Sequence, residues 1–151
     1  MSFLMTMPGN EAMNDFPRNP RDTPVSNLLD GLRILLLEDE LLIAMDVEQL
    51  CYDNGAAVVA LARTLDEIDV DASLGSFDVA IVDLMLEGVS TLDFARRLQG
   101  AAIPFVFASG YSEDDGLKAS FPQVPLVTKP YSGQDLVDAI AGVCGRRRVE
   151  A

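Results

Sequence analysis

Charged and hydroxyl side chains directly follow four apolar segments of the chain. Glu38 and Asp39 come after Leu-Arg-Ile-Leu-Leu-Leu, and Asp83 comes after Val-Ala-Ile-Val. Ser109 follows Phe-Val-Phe-Ala, and Lys129 follows Leu-Val-Thr. Carboxylates bind hard cations and can attack phosphorus, whereas ammonium and hydroxyl groups can donate to phosphate oxygens. If the fold brings these five residues together, they predict a site for phosphoryl-transfer chemistry.

The segments between them predict the elements that must position these residues. Short apolar runs alternate with segments in which apolar residues recur at helical spacing. The predicted strands are residues 32–37, 57–61, 79–82, 104–108 and 126–127. The first predicted helix follows the acids at the end of the first strand and ends near residue 53. The other predicted helices run from 64 to about 74, 91 to about 99, 113 to about 120 and 133 to about 144. Residues 64–67 and 90–93 have the spacing of a capping box, which is typical of a helix start.

This alternation predicts an α/β fold with a doubly wound, five-stranded parallel sheet in the order 2-1-3-4-5 and a short or irregular fourth helix. The carboxyl ends of parallel strands share one edge of the sheet, so the five polar residues are expected to meet there. Two carboxylates about 4 Å apart repel each other by roughly 4 kcal/mol, which favours a bound cation. Because the chain has no histidine, the candidates are hard ions with oxygen ligands: magnesium, calcium or manganese.

The composition narrows the classes of partner. The chain has 151 residues and a net charge of −13, which disfavours nucleic acid and anionic membranes as partners. No apolar run reaches transmembrane length and no secretory signal is evident, so we expect a cytoplasmic protein. Cys51 and Cys144 lie on apolar helix faces outside any CxxC pair, and we expect both to be buried, reduced thiols.

Three regions follow from the distribution of residue types. Residues 1–30 contain four prolines and no sustained periodicity, which predicts a flexible N-terminal tail. Residues 31–146 are predicted to form one folded domain, and residues 147–151 a C-terminal tail. The three arginines at 146–148 follow the last predicted helix, where they would complement the helix dipole.

The residues at the strand ends carry a family resemblance over about Leu32 to Cys144. Glu38-Asp39, the segment Asp83-Leu84-Met85-Leu86-Glu87-Gly88, Ser109 and Lys129-Pro130 resemble the receiver domain of two-component response regulators. The resemblance implies a flavodoxin-like fold in which Asp83 is the phosphoacceptor. It implies Mg²⁺ bound by Glu38, Asp39, Asp83 and the backbone carbonyl of Met85. It also implies that Ser109 is the switch hydroxyl and Lys129 the phosphate-binding lysine.

Two features depart from the common receiver pattern. The switch aromatic of the family would fall three residues before the lysine, where this chain has Leu126. The segment Phe107-Ala108-Ser109-Gly110-Tyr111 is similar to the Phe-Ala-Thr-Gly motif of an atypical receiver subgroup called FATGUY. Many members of that subgroup stand alone and have a reduced fourth helix. The tyrosine of the subgroup would fall at Ser112, one residue after Tyr111.

The resemblance implies a single-domain response regulator rather than an enzyme, with catalysis limited to its own phosphorylation and dephosphorylation. A sensor histidine kinase or a histidine phosphotransfer protein would be the phosphoryl donor, since the chain has no histidine. The phosphorylated form would act on an unknown downstream protein through altered binding, or serve as a phosphate sink.

Two alternatives remain open. One is an interaction module of receiver fold that is never phosphorylated, although the acids, hydroxyl and lysine together disfavour it. The other is an aspartate-nucleophile phosphohydrolase of the haloacid-dehalogenase type. Such enzymes generally place a second acid two residues after the nucleophile, where this chain has Met85.

Overall fold

Five parallel strands form one sheet in the order β2-β1-β3-β4-β5. A computed structural model describes the protein over residues 27–68, 74–110, 115–129 and 132–145. The strands are β1 (Arg33–Leu37), β2 (Val58–Ala62), β3 (Val79–Asp83), β4 (Phe105–Ser109) and β5 (Leu126–Thr128). This confirms the predicted doubly wound order, with β3 extending one residue further than expected to include Asp83.

The central strand β3 explains why its sequence is apolar without alternation. Every residue from Val79 to Asp83 is buried. The strand pairs with β1 on one side, where Leu37 lies opposite Val82, and with β4 on the other, where Asp83 lies opposite Ala108. Because helices cover both faces of a parallel sheet, both sets of side chains on such a strand are apolar. The pairing also places the ends of β1, β3 and β4 side by side.

Within the described residues, four helices cover the two faces: α1 (Leu41–Asp53), α2 (Leu92–Gly100), α3 (Asp115–Ser120) and α4 (Gly133–Val143). Residues of α1 and α4, including Val47 and Ile140, pack with Ile34 of β1 in one core cluster. Residues of α2 and α3, including Phe94 and Leu117, pack with residues of the opposite sheet face. The fourth predicted helix corresponds to α3, and its six residues confirm that it is short.

The prediction of a helix over residues 64–74 is wrong in the part that the structure describes. Leu65–Glu67 form a single 3₁₀ turn, and Ile68 is extended, with φ −109° and ψ 120°. Residues 69–73 lie outside the described residues, and Leu74–Ser76 form a second 3₁₀ turn. Residues three apart lie on one side of a 3₁₀ turn. Leu65 in the turn and Ile68 directly after it both pack against the core, and these contacts do not require a longer helix.

Several other predictions concern residues that are only partly described. The N-terminal tail up to residue 26, the arginines at 146–148 and the C-terminal tail lie outside the described residues, so the predicted domain boundaries stay predictions. Cys51 is buried as expected, whereas Cys144 is only partly buried because it caps the end of α4. In the described stretches, no helix is both long enough and apolar enough to cross a bilayer.

The end of α2 offers a test of backbone strain. Ala102 follows the C-cap residue Ala101 and has a φ of 61°, in the left-handed region that favours glycine. Ala102→Gly is therefore expected to stabilise the protein by about 1 kcal/mol. Chemical denaturation measures this change. Ala101→Gly is the matched control, because Ala101 has an ordinary φ of −90° and glycine there should only lower stability. Equal effects of the two substitutions would contradict the strain argument.

Candidate functional site

Three carboxylates meet where β1 and β3 end. Glu38 and Asp39 follow β1, and Asp83 is the last residue of β3, the strand beside it. One carboxylate oxygen from each residue lies within 4.8 Å of the other two. Glu38 is only 1% exposed, and Asp83 is also buried. Because unpaired buried charge is costly, this arrangement requires positive charge beside it.

The side chain of Lys129 supplies that positive charge. Lys129 follows β5, two strands from β3, and its side chain reaches back across the edge. Its Nζ lies 2.9 Å from Glu38 Oε1 and 2.9 Å from Asp83 Oδ2. A longer ion pair of 3.9 Å reaches Glu40 Oε1. One ammonium group thus bridges the two most buried acids of the cluster.

The pKa values of this pair have opposing causes. Burial raises the pKa of Glu38, and hydrogen bonds from Lys129 and from the Glu40 amide only partly offset that rise. Burial lowers the pKa of Lys129, but its hydrogen bonds to Glu38 and Asp83 outweigh burial and leave this pKa raised. The lysine therefore stays charged at neutral pH, and the site holds a fixed positive charge against its carboxylates.

Asp39 is positioned by a short hairpin that the sequence analysis missed. The hairpin joins Met85–Leu86 to Val89–Ser90 through a turn in which Glu87 and Gly88 have φ values of 51° and 80°. The Glu87 amide donates to Asp39 Oδ2 at 2.7 Å. Two left-handed residues in succession are typical of a type I′ turn, for which Glu87-Gly88 is a weak signal compared with Asn-Gly. The strands of two residues are too short to show alternation.

The hairpin also orients the backbone of Met85, whose carbonyl is a metal ligand by the family resemblance. The Thr91 amide donates to the Leu84 carbonyl at 3.1 Å, and Met85 pairs with Ser90 one step further along the ladder. Hydrogen-bonded and non-hydrogen-bonded pairs alternate in an antiparallel ladder, so the Met85 carbonyl points away from the opposite strand. The Met85 amide donates to Asp83 Oδ1 at 3.4 Å, which keeps this residue beside the acids.

The remaining predicted residues are described only in part. Ser109 ends β4 opposite Thr128, at the same sheet edge as Asp83, but its side chain lies outside the described atoms. Tyr111, Ser112 and Pro130 also lie outside the described residues, so the FATGUY resemblance stays a prediction. Leu126 is partly buried and packs against the core, where the common family pattern has an aromatic.

The chain resembles several regulatory proteins. No model of a known protein family matches it. It is 29% identical over 119 residues to the transcriptional regulatory protein PdtaR of Mycobacterium tuberculosis, over 77% of this chain and 58% of PdtaR. The response regulator PhyR from Brucella abortus is 31% identical with a TM-score of 0.61, over 81% of this chain and 51% of PhyR. SdrG from Sphingomonas melonis Fr1 is 32% identical with a TM-score of 0.62, over 75% of this chain and 96% of SdrG.

The sheet order and these similarities define the class of protein. The chain belongs to the receiver domain family of response regulators, the regulatory modules of two-component signalling. The names of PdtaR and PhyR describe regulators rather than enzymes. The chain spans only 58% of PdtaR and 51% of PhyR, so these matches concern one part of each of those proteins.

The donor atoms of the site fit a hard divalent cation. Glu38, Asp39 and Asp83 offer carboxylate oxygens within 4.8 Å of one another, and the Met85 amide donates to one oxygen of Asp83. A set of oxygens without nitrogen or sulfur is the kind that magnesium prefers over zinc or copper. The residues present therefore suit the metal that the receiver family implies.

Proposed function

We propose that this receiver accepts a phosphoryl group on Asp83 in the presence of Mg²⁺. The observation that carries the proposal is the position of Asp83 itself. Its Oδ2 lies 2.9 Å from Lys129 Nζ, and a second and third carboxylate lie within 4.8 Å. A nucleophilic carboxylate, a fixed ammonium group and a set of metal-binding oxygens are the parts that transfer to an aspartate needs.

The proposed transfer is a displacement at phosphorus. An oxygen of the Asp83 carboxylate attacks the phosphorus of a phosphohistidine on the donor protein, and an acyl phosphate bond forms. The bond between phosphorus and the imidazole nitrogen breaks, and that nitrogen keeps the electron pair. The imidazole leaves in its neutral form because its second nitrogen carries the proton. Lys129 would then donate to an oxygen of the transferred group.

Glu38, Asp39, Asp83 and the Met85 carbonyl are the residues that would hold the metal. Bound there, Mg²⁺ would neutralise charge on the phosphoryl oxygens and align the group with Asp83. The hydrogen bond from the Glu87 amide to Asp39 supports this role, because it orients one of the proposed ligand side chains. The hydrogen bond from the Glu40 amide to Glu38 Oε2, at 3.0 Å, orients the side chain of a second proposed ligand.

The phosphoryl donor in this proposal is a sensor histidine kinase or a histidine phosphotransfer protein in the cytoplasm. The chain has no histidine, so the donor must be another molecule. The helix α1 begins after Glu40, and its first turns expose Leu41, Leu42 and Met45, of which Leu42 is 77% exposed. A protein that delivers a phosphoryl group to Asp83 would lie against this surface and cover these apolar side chains.

The proposed output is a change in the affinity for a downstream protein, with Ser109 moving toward the phosphoryl group. Ser109 ends β4 one residue beyond Ala108, which lies opposite Asp83, so a change at the acceptor is close to the loop that follows β4. Transmission through an aromatic residue in β5 is not proposed, because Leu126 stands there and packs against the core. Storage of phosphate without a downstream protein is the second form of this function.

Treatment with acetyl phosphate and Mg²⁺ tests the proposal. We expect mass spectrometry to show one added phosphoryl group that is lost with hydroxylamine, and no addition to Asp83→Asn. Asp93→Asn is the matched control, because Asp93 is an exposed acid on α2 and should label like the wild type. Labelling of Asp83→Asn would show that another residue is the acceptor. A failure of the wild type to label would favour the receiver-fold module that is never phosphorylated.

A further inference from the structure

Thr91 is a fully buried hydroxyl residue that does not cap the helix it precedes. It is 0% exposed and occupies the N-cap position of α2, but its side chain accepts no hydrogen bond from the helix. The expected capping box at residues 90–93 is therefore wrong, because Ser90 Oγ accepts from the Leu92 amide at 3.2 Å instead. Asp93 pairs with Arg96 rather than turning back to the helix start.

The Thr91 hydroxyl is directed at the end of β3. Its Oγ1 donates to the Asp83 carbonyl at 2.6 Å and lies 3.1 Å from the Leu84 carbonyl, to which the Thr91 amide also donates. These contacts tie the backbone of the proposed acceptor to the start of α2, eight residues later. They also close the base of the hairpin that carries Met85, while the Glu87 amide attaches its turn to Asp39.

We propose that Thr91 is a positioning residue for the metal site, an inference that rests on the proposed function. By holding the carbonyls of residues 83 and 84, Thr91 sets the direction in which the Asp83 carboxylate and the Met85 carbonyl leave the backbone. Both groups belong to the proposed set of metal ligands. Side chains that orient ligands without touching the metal typically change metal affinity by about 10- to 100-fold when they are replaced.

The test compares two substitutions at this position. Thr91→Val keeps the shape of the side chain and removes the hydroxyl, whereas Thr91→Ser keeps the hydroxyl. Isothermal titration of the metal-free proteins with Mg²⁺, well below their melting temperatures, measures the dissociation constant. We expect Thr91→Val to raise that constant about tenfold and Thr91→Ser to bind like the wild type.

Leu98→Ala separates positioning from general loss of stability. Leu98 is a buried residue of the same helix that packs in the core away from the acids, so its truncation lowers the melting temperature by leaving a cavity. We expect this variant to bind Mg²⁺ like the wild type.

The outcomes distinguish this inference from the proposed function. If Thr91→Val binds Mg²⁺ like the wild type, if Thr91→Ser fails to restore binding, or if Leu98→Ala weakens binding equally, Thr91 has only a structural role and the inference is overturned. If the wild type binds no Mg²⁺, or if Asp83→Ala binds it equally well, the proposed metal site itself is wrong, and the inference is overturned with it.

Discussion

Lys129→Met is expected to lower the free energy of unfolding of the metal-free protein by about 3–5 kcal/mol. The side chain of Lys129 is 13% exposed and that of Glu38 is 1% exposed, and their charged atoms are 2.9 Å apart. Removing the ammonium group leaves Glu38 and Asp83 buried beside each other without a positive charge. Methionine retains most of the volume, so the loss reports on charge rather than packing. Chemical denaturation in the presence of EDTA measures it.

Arg96→Met is the matched control for this substitution. The ion pair between Arg96 and Asp93 is short, at 2.7 Å, but both side chains are largely exposed to water. Such surface pairs contribute about 0–1 kcal/mol, so this variant should unfold almost like the wild type. Similar losses in the two variants would show that Lys129 does not compensate the buried acids.

The variant Lys129→Met also tests whether the lysine and a divalent cation compete for the same carboxylate oxygens. Lys129 Nζ lies 2.9 Å from one oxygen each of Glu38 and Asp83, which are two of the proposed ligands. Without the lysine, those oxygens have no competing cation, and a divalent ion would be their main source of positive charge. We therefore expect saturating Mg²⁺ to raise the melting temperature of Lys129→Met by more than that of the wild type. A smaller shift in the variant would contradict this competition.

The second large effect concerns the wild type. At a Mg²⁺ concentration about 100 times the dissociation constant, binding to the folded state alone adds about 2.7 kcal/mol to the free energy of unfolding. For a domain of this size that is a rise of roughly 10 °C in melting temperature. Asp83→Ala removes one of the three clustered carboxylates, so its shift should be much smaller.

Differential scanning fluorimetry with and without Mg²⁺ measures both shifts. Asp93→Ala is the control for removing an acid, because the Asp93 side chain is 97% exposed and one exposed carboxylate does not form a metal site. Its Mg²⁺-dependent rise should equal that of the wild type. Equal rises in Asp83→Ala and the wild type would place the metal elsewhere in the molecule.

Much of the fold was predictable because strands and helices leave different apolar periods in a sequence. The uninterrupted run before Asp83 indicated a strand covered on both faces, and every residue of that strand is buried. Local propensity predicted a helix at residues 64–68, but the structure has a single 3₁₀ turn there, and Leu65 and Ile68 still pack against the core. Tertiary packing decided the outcome there, since the spacing of the polar residues alone was compatible with a helix.

Some features of the candidate site were likewise visible in the sequence, and others were not. The positions of Glu38, Asp39 and Asp83 at strand ends were visible in the sequence, since the ends of parallel strands share one edge. The contacts of Thr91 and Glu87 were not visible, because a buried hydroxyl and a turn amide leave no periodic signal. The spacing of residues 90–93 predicts a capping box that includes Thr91, but the Thr91 hydroxyl donates to the Asp83 carbonyl.

By itself, then, the sequence determined the layered α/β architecture, the order of the strands and the sheet edge at which Glu38, Asp39, Asp83 and Lys129 lie. It could do so because burial on a sheet and the direction of parallel strands are encoded in local spacing. Only the tertiary structure decided that one ammonium group bridges Glu38 and Asp83. It also decided that the Glu87 amide donates to Asp39 and that the Thr91 hydroxyl donates to the Asp83 carbonyl. Those contacts join residues up to 91 positions apart in sequence, as between Glu38 and Lys129, and depend on distances that no local pattern records.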